Sequence, residues 1–260
     1  MRICRLANTG IRRSSSPWKF YGWVWPDHGA RLGLRSWPAK RTERTGAGRS
    51  EGGRAGRGVG VSRAERAART RELVMRAGAE VFAEEGFVSA RVGVISRRAG
   101  VTPGAFHFHF ANKQTLARAV EAAALVALHR ITREAGEEHE GALRQLVGAG
   151  HGLMRALEED VVVRAGFQLV GPAPWRTEPL DLRGAWQGWV EALLGTARRE
   201  GTLADGVSPA GASSAVIAAT VGLAALGMKE SRWLSQDALS QYWDVMLPCL
   251  ASCPEEPVVS

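Results

Sequence analysis

The 260 residues, 45% apolar and 23% charged, suffice for one medium or two small globular domains with a real core. The sequence shows no run approaching eighteen apolar residues, so no membrane span is expected, and Lys19, Gly22 and Pro26 interrupt the only stretch near the N-terminus that resembles a signal peptide. Three cysteines (Cys4, Cys249 and Cys253) are too few and too badly spaced for a disulfide framework or a zinc site, so free thiols in a reducing compartment are expected. The net charge of +8 is unevenly distributed: +10 in residues 1–60, +5 in 61–120 and −7 in 121–260. A basic block that can face phosphates therefore precedes an acidic one that cannot.

Residues 1–60 show neither helical nor strand periodicity, and Trp18, Trp23, Trp25 and Trp37 stand there without apolar partners. The stretch from Arg44 to Gly60 buries too little to offset its ordering entropy. It reads either as a disordered basic arm that adds nonspecific DNA affinity, or as sequence upstream of a true start near Val59 or Val61. The second reading is favoured, because scattered Trp in an Arg/Gly-rich segment is odd for a functional arm.

From Ser62 the pattern becomes helical. Leu73, Ala77, Val81 and Phe82 fall on one face of a first helix, with Gly86 as its stop. A second helix spans about 91–99, with Val92 and Ile95 inward, and a tight Ala99-Gly100-Val101 turn follows. Thr102 caps a third helix of about seven residues, with Pro103 at the first position, where its missing N–H costs nothing. Asn112 caps a fourth, from about 113 to 135. Four further helical stretches follow, at about 141–157, 185–200, 212–228 and 236–251, with a Gly/Pro-rich loop from Gly171 to Pro179. No stretch alternates as a strand, so the expected fold is all-α.

Two short helices around a Gly-containing turn form a helix-turn-helix, whose second helix fits the major groove. The string is more specific than the geometry. Gly86-Phe87, Ile95, Ala99-Gly100-Val101-Thr102, Gly104-Ala105, His109-Phe110, Lys113 and Leu116 resemble, in register, the DNA-binding domain of the TetR family over about residues 65–120. That resemblance implies DNA contacts from Thr102, Pro103, Gly104 and His107, with His109 and Lys113 just beyond. Arg63 and Arg66 would trail into an adjacent groove as an arm, and Arg91 opens the second helix within the same interface. The chain departs from the family in having Pro103 where Lys is frequent and His107 where Tyr is frequent. The first change removes a contact and the second weakens one, which leaves the operator hard to infer.

The flanking aromatics have plainer readings. Phe106 and Phe110 are expected in the core rather than in a base-stacking platform, and His107 with His109, two apart, is the wrong helical spacing for one metal ion. The acidic half carries Trp175, Trp186, Trp189, Trp233 and Trp243, for most of which core or interface packing is the simplest role. Trp186 and Trp189 also share a helix face beside the 171–180 loop, as in the lining of an apolar pocket. Here the resemblance narrows. Gly104 to Phe110, Leu116 to Val120, Val163 to Leu169 and Tyr242 to Pro248 are similar to the γ-butyrolactone receptor subgroup, whose members repress genes until a small lactone binds. Phe167, Trp175, Trp186 and Trp189 are the candidate ligand contacts, and the subgroup's pocket tryptophan corresponds to either Trp186 or Trp189.

The implied organisation is a leader (1–60), a three-helix helix-turn-helix DNA-binding domain (61–120), a helical ligand-binding and dimerisation domain (121–251) and a disordered tail (252–260). The implied protein is a cytoplasmic, nucleoid-associated homodimer on double-stranded operator DNA, with no cofactor and no metal. No Gly-rich phosphate loop, nucleophile elbow or paired carboxylates in an apolar setting mark an enzyme. Glu158-Glu159-Asp160 reads as a solvated helix end. An antibiotic-responsive regulator and a ligand-independent DNA binder remain open beside the lactone receptor.

Overall fold

In the computed structural model the described residues are 62–169 and 182–252. The basic leader, the Gly171–Pro179 loop with Trp175, and the end of the tail lie outside them.

Within the described residues the fold is all-α, with nine α-helices and no strand: α1 (Arg63–Ser89), α2 (Val92–Arg98), α3 (Pro103–His109), α4 (Lys113–Glu138), α5 (Ala142–Glu159), α6 (Val161–Gln168), α7 (Leu182–Arg199), α8 (Pro209–Gly227) and α9 (Gln236–Leu250). A 3₁₀ turn, Ser231–Leu234, separates the last two.

Helix starts follow local chemistry. Ser62 and Glu65 form a reciprocal capping box at α1. Thr102 Oγ1 accepts from the Ala105 N–H at 3.1 Å, and Asn112 Oδ1 from the Thr115 N–H at 2.8 Å. Gly86 interrupts α1 as expected, at φ 76°, ψ 162°, a backbone region open almost only to glycine, and a last short helical piece runs on to Ser89. The buried stripe of α1 runs through Val74, Ala77, Gly78, Val81 and Phe82, whereas Leu73, expected on that face, is exposed. The true stripe starts one residue later because Gly78 must lie against Leu116 of α4, where an added Cβ would come within 2.5 Å of the Leu116 Cδ2.

The described residues build two apolar cores. One gathers α1, α2, α3 and the start of α4 around Phe82, Ile95, Phe106, Phe110 and Leu116, and takes Ala165 of α6 and the residue that caps it, Leu169. The other holds the rest of α4 with α5 and α7 to α9, around Leu128, Leu153, Phe167, Trp186 and Trp243. Helix α6, absent from the sequence expectations, contributes to both. It is only eight residues long and follows α5 after Asp160, whose carboxylate accepts from the Val162 N–H at 2.8 Å. The acidic end of α5 is thus exposed, as read, but it also starts a new helix. Against α4 the backbone of α6 is so close that a Cβ at Gly166 would collide with Ala124.

No run of eighteen apolar residues occurs, but among the described residues α8 has 19 residues with a mean hydropathy of 1.6 in its most apolar window, of which 28% is buried. By length and composition alone this helix could cross a membrane. It packs on α7, the 3₁₀ turn and α9.

Candidate nucleic-acid interface and sensing core

Helix α3 is pinned inward by Phe106 and by its C-cap Phe110, which are 0% and 1% exposed with ring centroids 6.1 Å apart. Arg71 of α1 covers the outer side of Phe110 at 4.8 Å from the ring centroid. At about 100° per residue the face opposite Phe106 carries Gly104 and Phe108, with His107 at its edge. Thr102, Pro103, Gly104 and His107 are all exposed, and His109 is half-buried. A Cβ on Gly104 would meet only Thr102 Oγ1, at 3.9 Å, so nothing in the chain's own packing requires glycine there. The His107 Nδ1 lies 3.2 Å from the Ala111 carbonyl oxygen.

Phe108, which was not among the sequence-derived site residues, is turned to solvent. It is 78% exposed, with His109 edge-on at 5.0 Å. Its signal in sequence was present: two residues from each of two buried phenylalanines, it must leave the core on a 3.6-residue helix.

The basic residues separate into two kinds. Arg91, the N-cap residue of α2, is exposed. Arg63 and Arg66 are exposed too, but they do not trail as an arm: the capping box at Ser62 winds them into the first turns of α1. Arg98 of α2 pairs with Glu84 of α1 at 2.7 Å, bracing the first two helices. Lys113 faces inward. Its Nζ donates to the carbonyls of Phe87, Val88 and Ala90 at 2.7, 3.1 and 2.8 Å and lies 4.5 Å over the Phe87 ring. An ammonium has three donors, and all three are engaged at the end of α1. Burial there lowers its pKa from the usual lysine value. The geometry makes Lys113 a clamp between α4 and α1; nothing is left over to donate to a phosphate.

In the second core Trp186 is fully buried on α7 and donates its indole N–H to Thr220 Oγ1 of α8 at 2.9 Å. Thr220 in turn donates to the Val216 carbonyl oxygen at 2.9 Å. Trp189 stacks on Trp186 at 5.3 Å and is half-buried. Phe167 is buried, with the Arg183 guanidinium 4.9 Å over its ring and donating to its carbonyl oxygen at 3.1 Å. The structure thus brings Trp186 and Trp189 together, and adds Thr220, which the sequence did not single out. An open cleft of about 1020 Å³ lies elsewhere, between the ends of α4, α5 and α9, lined by residues that include Glu134, His139, Arg144, His151 and Leu247. None of the tryptophans lines it.

Residues 74–120, the segment that builds this helix-turn-helix, match the bacterial regulatory proteins of the tetR family. The helix-turn-helix of this chain is of the TetR type. It is 28% identical to the A-factor receptor protein of Streptomyces griseus over 200 residues, 74% of this chain and 67% of the relative. It also resembles the TetR-family protein CprB of Streptomyces coelicolor, solved with its biological operator sequence, at 25% identity and a TM-score of 0.62 over 71% of this chain and 90% of CprB. A γ-butyrolactone receptor structure described as ArpA-like shares the fold at 24% identity and a TM-score of 0.58, over 72% of this chain and 89% of that one. What the chain shares with these proteins is a TetR-type DNA-binding segment and an all-helical fold.

Proposed function

We propose that this chain is a TetR-family repressor that binds operator DNA as a homodimer in the cytoplasm and is released by a small apolar ligand of the γ-butyrolactone or butenolide class. The observation that carries the ligand reading is the Trp186–Thr220 hydrogen bond. A tryptophan stacked on a second tryptophan, with one hydroxyl set among apolar side chains, matches the composition of a small-molecule pocket. A lactone has the complementary form, with an apolar tail for the rings and a carbonyl that would take over the Trp186 N–H from Thr220. The likeness to the A-factor receptor protein supports the same class.

Dimerisation through α8 and α9 is supported by the largely uncovered apolar surface of α8 and by Leu226 and Val245, 48% and 69% exposed. Two copies joined there would set the spacing of two α3 helices over a pseudo-palindromic site. Thr102, Pro103, Gly104, His107, His109 and Arg91 form the DNA-facing set of each copy, with Arg63 and Arg66 at its edge. By sequence the chain divides into a leader (1–60), a DNA-binding domain (61–120), a sensing and dimerisation domain (121–251) and a tail (252–260). Ligand that binds the undocked conformation more tightly shifts the population off DNA, by no more than its differential affinity.

The test is a gel shift of the DNA upstream of the protein's own gene, with and without a synthetic γ-butyrolactone. Retardation abolished by the lactone is the expected result. Retardation that the lactone leaves intact rejects the ligand, and absence of retardation on that and neighbouring promoters rejects the operator reading.

A further inference from the structure

The geometry of α3 points to a specific base readout, which rests on the DNA-binding reading above: we propose that His107 and Phe108 recognise an A·T pair. His107 Nε2 accepts from the adenine N6 amine, and the Phe108 ring packs on the thymine C5 methyl.

The His107 part follows from proton inventory. Its Nδ1 lies 3.2 Å from the Ala111 carbonyl oxygen, which can only accept, so Nδ1 carries the ring proton. In the neutral imidazole the remaining nitrogen, Nε2, is then an acceptor. Phosphate oxygens, guanine N7 and O6, and thymine O4 are acceptors as well and cannot pair with it. The major groove offers two donors to such a group, the amines of adenine and cytosine.

Phe108 decides between them. The fold has no use for its ring, since Phe106 and Phe110 already anchor α3 and Phe108 is 78% exposed. It lies on the face turned away from the core, where a groove would be met, and edge-on contact with His109 orients it. Gly104, one turn earlier on the same face, leaves the approach open without being needed by the chain's own packing. In the groove, the apolar feature that fits an aromatic ring is the thymine methyl, carried by A·T and absent from G·C. An acceptor beside an apolar ring therefore selects the pair with both an amine and a methyl.

The experiment uses the full chain. Sites are first enriched from a pool of randomised duplexes. In the enriched site thymine is then replaced by uracil, which lacks the methyl, and adenine by purine, which lacks the amine. Wild type is expected to lose roughly fivefold in affinity for each replacement at one pair. Phe108→Ala should lose its sensitivity to uracil and keep that to purine, and His107→Phe should do the reverse. Both side chains are exposed, so both variants are expected to keep wild-type circular dichroism. Wild-type binding indifferent to both replacements, or variants with unchanged sensitivities, overturns the proposal while leaving the regulator reading intact. Failure of wild type to enrich any sequence overturns both.

Discussion

Replacing Lys113 with methionine keeps an apolar stem of similar length but removes an ammonium bonded to three carbonyl oxygens, those of Phe87, Val88 and Ala90. Hydrogen bonds to charged groups contribute about 1.5–3 kcal/mol each. Lys113 is only half-buried, so water can reach the freed carbonyls, and the three bonds share one charge. A net loss of about 2–3 kcal/mol is therefore expected, well below the sum. For a domain of this size it corresponds to a fall in Tm of about 4–12 °C. Two measurements separate a clamp from a phosphate contact: thermal unfolding followed by circular dichroism, and DNA affinity as a function of salt. A lysine on a phosphate makes the slope of log K against log salt shallower by about 0.9 when it is removed, whereas a lysine turned into the chain leaves the slope unchanged. A Lys113→Met variant with wild-type Tm and a shallower slope would refute the clamp.

Gly166→Ala should destabilise by about 1–3 kcal/mol, because the added methyl meets Ala124 Cβ, which cannot swing aside, and α4 and α6 must separate. Gly188→Ala is the control: Gly188 is exposed on α7 with nothing within 4 Å of the new Cβ, and the change should stabilise by about 0.5–1 kcal/mol. Equal unfolding midpoints for the two would contradict the tight α4–α6 contact. Trp186→Phe leaves Thr220 without its indole donor; lactone affinity measured by calorimetry should drop at least tenfold while operator affinity stays the same. Loss of operator affinity instead would make Trp186 a folding residue only. Burial pushes the Tyr242 phenol up to about 12 from the ordinary 10, and its hydroxyl has no partner among the described residues. The raised value means that the folded state holds the proton more tightly than the unfolded one. Stability present below pH 10 should then be lost as pH rises from 10 to 12. In chemical denaturation Tyr242→Phe should lose less stability than wild type across that window, and parallel curves would reject the assignment.

What the sequence determined by itself was local. The capped starts at Ser62, Thr102 and Asn112 depend on residues three apart, and the buried Ile95, Phe106 and Phe110 on helical period; both are readable along the chain. So is the likeness of residues 74–120 to the TetR family. Tertiary structure decided whatever depends on distant neighbours. Val74 rather than Leu73 lies inward because α1 must close on Leu116 through Gly78. Helix α6 is too short to announce itself by period, and it exists as a packing element between two cores. Lys113 reads as a phosphate ligand by type and position, yet carbonyls 23 to 26 residues earlier in the chain claim its donors. The Trp186–Thr220 bond joins residues 34 apart, and the direction of the His107 proton depends on where the turn after α3 places the Ala111 carbonyl. Periodicity specifies which face of a helix is apolar; only the packed chain specifies which group on that face, or opposite it, already has a partner.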